Sequence, residues 1–106
     1  MKDKSPFVSR AGAKLAHALD AFSIDPTGLR CADFGCNVGG FTDCLLQRGA
    51  AHVIAIDTGY GVLDWKLRND ERVDVRERTN VLHAEPPDQR VDLLVSDVGW
   101  TPQARV

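Results

Sequence analysis

Three short apolar runs, LRCADFG, AHVIAIDTG and VDLLVSDVG, each close on a carboxylate or a polar turn. Continuous apolar runs of this length read as strands buried on both faces, the condition of a parallel sheet covered on either side. The segments between them carry the helical period instead. In FTDCLLQRG, Phe41, Cys44, Leu45 and Arg48 stand at helical spacing and Gly49 supplies a stop. GVLDWKLRND is predicted as a further helix, packed through Leu63 and Trp65, and VDVRERT as a strand of alternating character. Ahead of the first run, Ser9 is a candidate N-cap for RAGAKLAHALDAF, which sets Leu15, Ala18, Leu19 and Phe22 on one stripe, with Arg10, Lys14 and His17 opposite or flanking it. Pro26-Thr27-Gly28 and Glu85-Pro86-Pro87-Asp88 mark loops. Strand and helix in alternation predict an α/β fold, a three-layer sandwich around a parallel sheet with right-handed crossovers.

The remaining composition narrows the function classes. At 106 residues the chain holds one core, and no apolar run approaches the roughly 18 residues of a membrane span. Thirteen Lys and Arg against fifteen Asp and Glu leave a net charge of -2, so any nucleic-acid contact depends on a local basic patch. The N-terminal MKDKSPFVSRAG lacks the apolar stretch of a secretory signal, which makes the cytoplasm the default location. Cys31, Cys36 and Cys44 have no CxxC pairing; with His52 they match no metal spacing, so reduced thiols and no metal site are expected.

The segment Asp33-Phe34-Gly35-Cys36-Asn37-Val38-Gly39-Gly40-Phe41 joins the first strand to its helix, where doubly wound sheets hold ligands. Its glycines let backbone approach a ligand closely, and N–H groups near Gly40 and Phe41 favour an anionic group. The spacing is D-x-G-x-x-x-G-G. It differs from the dinucleotide loop G-x-G-x-x-G, Asn37 standing where that loop needs glycine, and it lacks the GK[ST] of a phosphate loop. Asp57, at the end of the second strand, is placed to accept both hydroxyls of a ribose. Together they suggest an adenosine-bearing ligand with a charged tail, the shape of S-adenosylmethionine. The plainer alternative is a tight strand-to-helix turn with Asp57 capping the next segment.

With these residues placed, the chain resembles the FtsJ-like ribose methyltransferases, and among them the TlyA, or hemolysin A-like, ribosomal RNA methyltransferases. SRAGAKL, CADFGCNVGGFTDCLLQRGA, AIDTGYG, RERTN and LLVSDVGW carry the resemblance in that order. It implies a Rossmann-like class I methyltransferase fold and transfer of a methyl group from S-adenosylmethionine to a ribose 2'-hydroxyl of RNA. By the same resemblance Asp33 belongs to the cofactor site, the Gly35, Cys36, Asn37, Val38, Gly39, Gly40, Phe41 loop holds the methionine end, Asp57 the ribose, and Asn80 lies near the adenine. Lys14 and Asp97 correspond to two members of the family's Lys-Asp-Lys-Glu catalytic group.

Removing a proton from a hydroxyl near neutral pH is poor work for a lysine at its ordinary pKa of about 10.4. Burial or a second cation lowers that value, whereas an acid raises it, so Asp97 is read as orienting Lys14 or the hydroxyl. Tyr60 is a candidate cover for the adenosine. Trp100 is a candidate to stack on a target base, with core packing as its alternative. The second lysine and the glutamate of the group are expected beyond Val106, and the S4 RNA-binding domain of TlyA-like proteins is not among the eight residues before Ser9. Four strands against the family's seven imply a fold cut after the fourth, with VDLLV open to self-association along the uncovered edge. A non-catalytic module binding S-adenosylmethionine or an adenine nucleotide is the alternative function.

Overall fold

The computed structural model describes residues 6–59, 61–78 and 90–96. Tyr60, Asn80, Asp97 and Trp100 lie outside the described residues. Helix α1 (Arg10–Ala21) begins where expected: Ser9 is extended and its side chain accepts the Ala11 N–H. Leu15 and Leu19 are buried, but the helix stops short of the full stripe. Ser23 turns left-handed at φ 56°, Ile24 N–H bonds back to Leu19 O, and Phe22 is left 75% exposed rather than in the core.

Strand β1 (Arg30–Phe34) leads through the glycine loop into helix α2 (Gly40–Gln47), and Gly49, at φ 93°, turns the chain into strand β2 (His52–Ile56). Every residue of α2 from Gly40 to Leu46 is buried, so the helix lies in the middle of its layer. Helix α3 is a single turn, Trp65–Arg68, shorter than the predicted segment. The Asp64 side chain caps its start by accepting the Lys66 N–H, and the Asn69 amide bonds back to Trp65 O at its end. Leu63 and Leu67 pack into the core as the pattern requires, while Trp65, expected to pack as well, is 75% exposed.

Strands β3 (Val73–Arg76) and β4 (Leu93–Ser96) complete a parallel sheet in the order β3-β2-β1-β4. Ala32 stands between Ile54 and Leu94 in register. Pleating sends alternate residues to opposite faces. Cys31, Val53, Ala55, Val73, Val75, Leu93 and Val95 join the side chains of α1, α2 and Leu67 of α3 in the main core. Ala32, Ile54 and Ile56 form a second, smaller cluster with Phe34 and Val91. The three helices among the described residues thus share one face, and the further layer of the expected sandwich falls outside those residues. Strands β1 and β2 are buried on both faces as predicted. Strand β4, at the sheet edge among the described residues, alternates, and Leu94 is 56% exposed.

The strand order has a functional consequence. The chain builds β1, β2 and β3 outward in one direction, then returns to lay β4 on the other side of β1, so the order reverses between β1 and β4. A crevice at the carboxyl ends of strands flanking such a reversal is where open α/β sheets bind ligands. The Ser96 hydroxyl donates to Phe34 O at 3.1 Å and pins these two strand ends together. No helix among the described residues is long and apolar enough to cross a membrane.

Candidate functional site

A cavity of about 280 Å³ opens at the carboxyl end of β1. Asp33, Gly35, Cys36, Asn37, Val38, Gly40 and Phe41 line it, which is the predicted loop without Gly39. Ser9 and Ala11, at the start of α1, form the rest of its wall. Gly35 has φ +78°, and a Cβ built there would meet nothing within 4 Å, so this stretch of backbone faces open space. Gly39 serves the fold instead. It is the N-cap of α2 at φ 105°, and a Cβ there would run into Leu63 and Leu67.

Asp57 organises the loop. Its Oδ2 accepts the Asn37 N–H at 2.7 Å and lies 4.0 Å from Cys36 Sγ, while Oδ1 accepts the Gly59 N–H at 3.0 Å. Ile56 O accepts the N–H groups of both Gly35 and Cys36, so the β1 loop is clasped along the end of β2. Asn37 sits left-handed at φ 51°, a conformation asparagine tolerates better than most residues. Asp57 is half-buried, and its two oxygens retain acceptor capacity beyond these bonds. Asp33 is fully buried, and its Oδ2 accepts the Thr42 hydroxyl at 2.8 Å, tying the end of β1 to the first turn of α2.

Cys36 lines the cavity as a neutral thiol. Burial pushes its pKa up to about 12, with the negative charges of Asp33, Asp57 and Glu77 adding to the effect, so it offers no nucleophilic thiolate. Cys31 and Cys44 are likewise free, buried and shifted upward. Among the described residues no group of three or more His, Cys, Asp or Glu side chains has the proximity to hold a metal ion. Lys14 is exposed on α1, one turn beyond Ala11, on the helix whose first residues wall the cavity.

Two acids unmarked by the sequence reading support this site. Glu77, just past β3, accepts the Arg68 guanidinium through both oxygens at 2.7 and 2.8 Å and also takes the Gly61 N–H. It thereby holds the turn that follows Asp57. The Arg68 guanidinium beside it, helped by the Gly61 N–H, holds its carboxyl below the ordinary range against the opposing effect of burial. Asp43 in α2 is buried and accepts the Val8 N–H at 2.8 Å. Its signal was weak, because an acid in the first turn of a helix ordinarily reads as a solvated partner of the helix dipole.

The FtsJ-like methyltransferase family model matches residues 7–105. The chain belongs to the FtsJ-like methyltransferase family. Within such FtsJ-like proteins, the 16S/23S rRNA (cytidine-2'-O)-methyltransferase TlyA of Mycobacterium tuberculosis is 54% identical over 102 residues, 94% of this chain and 38% of the relative. The chain therefore spans well under half the length of that relative. A solved Lactococcus lactis chain carrying a provisional hemolysin name superposes with a TM-score of 0.84 at 43% identity, over 90% of this chain and 47% of that one. An S-adenosylmethionine dependent methyltransferase from Mesorhizobium loti superposes at 0.68 with 24% identity, over 83% of this chain and 41% of that one, which bears on the fold alone. The Rossmann-like methyltransferase architecture implied by the family resemblance is thus the observed one.

Proposed function

We propose that the chain carries the S-adenosylmethionine site of an RNA methyltransferase that modifies a ribose 2'-hydroxyl, with ribosomal RNA as substrate and the cytoplasm as its place of action. The observation that carries this reading is that the glycine loop lines a cavity at the carboxyl end of β1, next to the strand reversal, and that Asp57 at the end of β2 is bonded to this loop, Asn37 N–H to Asp57 Oδ2 at 2.7 Å. The open backbone at Gly35 and the remaining acceptor capacity of half-buried Asp57 fit a ligand that has a charged tail at one end and a ribose in its middle. When bound, S-adenosylmethionine supplies an electrophilic methyl group on a sulfonium.

The chain's own residues do the holding. Gly35 to Phe41 give backbone N–H groups and close approach at the methionine end, buried Asp33 fixes that loop through Thr42, and Asp57 receives the ribose hydroxyls. Lys14, presented by α1, is assigned to take the proton of the target hydroxyl; Asp97 is assigned to orient it, and Asn80 to meet the adenine. The family match and the TlyA relative favour ribose over base as the acceptor.

The test is incorporation of labelled methyl from S-adenosylmethionine into ribosomal subunits by the protein bearing this sequence. The expected outcome is label on a ribose 2'-hydroxyl that Lys14→Ala abolishes. Label on a base, or full activity without the Lys14 ammonium, contradicts the proposal.

A further inference from the structure

The cavity has a wall that the glycine loop does not build. Ser9 and Ala11 line it, and they follow a short bent segment, residues 6–9, that is held against α2. Two side chains of α2 hold this segment by its backbone. Asp43 Oδ2 accepts the Val8 N–H at 2.8 Å, and Gln47 Nε2 donates to Pro6 O at 2.9 Å. The same amide donates to Asp43 Oδ1 at 3.2 Å, so the two residues act as one clamp, one turn apart on the helix. Asp43 is 2% exposed, an expensive place for a carboxylate unless its bonds are needed.

The surrounding glycines show how closely the segment is seated. A Cβ on Gly12 would strike the Phe7 side chain, and one on Gly40 would strike Ser9 Oγ, the Gly12 backbone and Ala11. The start of α1 and the start of α2 therefore touch backbone to backbone beside the cavity, with no slack to absorb a shift. Asp43 and Gln47 touch neither the cavity nor any reacting atom. Their effect reaches the cavity through Ser9 and Ala11, and reaches Lys14 through the direction of α1.

We propose that Asp43 and Gln47 are positioning residues: a backbone clamp that seats the segment before α1 and thereby sets the α1 wall of the S-adenosylmethionine cavity. The inference rests on the cofactor reading given above. It accounts for why an acid and an amide stand one turn apart on a helix whose remaining residues are almost all apolar and buried.

The experiment compares amide hydrogen exchange and calorimetric binding of S-adenosylhomocysteine in the wild-type chain, Gln47→Ala, Asp43→Ala and Asp43→Asn. Gln47 is exposed, so its truncation leaves the core packing intact. The expected result is exchange at Val8 to Gly12 faster by about ten-fold in Gln47→Ala and Asp43→Ala, with β1 and β2 protection unchanged and binding weakened by a similar factor. Asp43→Asn keeps one carbonyl oxygen for the Val8 N–H and is expected to restore most of both. Unchanged exchange at Val8 in Gln47→Ala, or faster exchange with undiminished binding, overturns the clamp. Absence of binding by the wild-type chain refutes the cofactor reading instead, and the exchange comparison still decides whether the clamp exists.

Discussion

Two glycines of the loop are required for different reasons, and substitution separates them. For the fold Gly35 needs only its positive φ, since a Cβ there meets nothing within 4 Å. Gly35→Ala is expected to cost about 1–2 kcal/mol, the ordinary penalty of a left-handed residue. Gly40 has ordinary helical geometry but no room, with Ser9, Ala11 and Gly12 all in the way. Gly40→Ala is expected to cost about 1–3 kcal/mol or more by overpacking, and to move α1 as well. Urea unfolding of both variants checks this; a Gly40→Ala protein as stable as wild type contradicts the close seating of the two helices. Asp57 separates two roles in the same way. If it receives the ribose, Asp57→Ala should weaken cofactor binding by about 1.5–3 kcal/mol, the worth of hydrogen bonds to a charged group. Asp57→Asn, which keeps an oxygen for the Asn37 N–H, should lose less, and calorimetry on the pair reads the difference.

At the scale of elements, β1, α2 and β2 were legible because burial and period agree there. Apart from Asp33 the Cys31–Phe34 and Val53–Ile56 runs are apolar, and Gly49 stands where the helix must end. The seven loop residues that line the cavity were legible from the glycine spacing, the loop's place after the first strand and the family resemblance taken together. Other features were decided by local geometry that composition does not carry. The left-handed Ser23 ends α1 before Phe22 reaches the core, and the Asp64 and Asn69 caps cut α3 to one turn, leaving Trp65 outside. Asp43, Gln47 and Glu77 escaped notice because their partners are mostly backbone groups or residues distant in sequence, which no pattern of side chains announces. Glu77 gives this scale a pH prediction. Its folded pKa is depressed below the ordinary 4.5, so as pH falls past that value the unfolded chain takes up a proton first. The stability Glu77 contributes is whole above about pH 4.5 and is lost as pH descends through the folded value. Glu77→Gln should flatten the fall in stability below pH 4.5, leaving the share due to Asp20, Asp25, Asp70 and Asp92, which are also depressed. An unchanged slope in acid unfolding titrations contradicts the role given to the Arg68–Glu77 pair.

For the whole molecule, the sheet order decides where chemistry happens. Laying β4 against β1 after β3 has been built on the far side creates a strand reversal, and the glycine loop and the start of α1 line a cavity at the carboxyl end of β1, with Asp57 at the end of the neighbouring β2 bonded to that loop. The opposite end of the sheet has openings too, such as the one lined by His52, Asn69 and Asp70, but it has neither the glycine backbone nor the strand-end acid. The central claim is therefore about location and ligand together. It is tested by titrating the chain with S-adenosylhomocysteine, and separately with NAD, while following backbone amide chemical shifts. The account predicts tighter binding of S-adenosylhomocysteine, with shifts concentrated at Gly35 to Phe41, Asp57 and Ser9 to Ala11. Tighter binding of NAD, or shifts centred on His52 and Asp70, would contradict it.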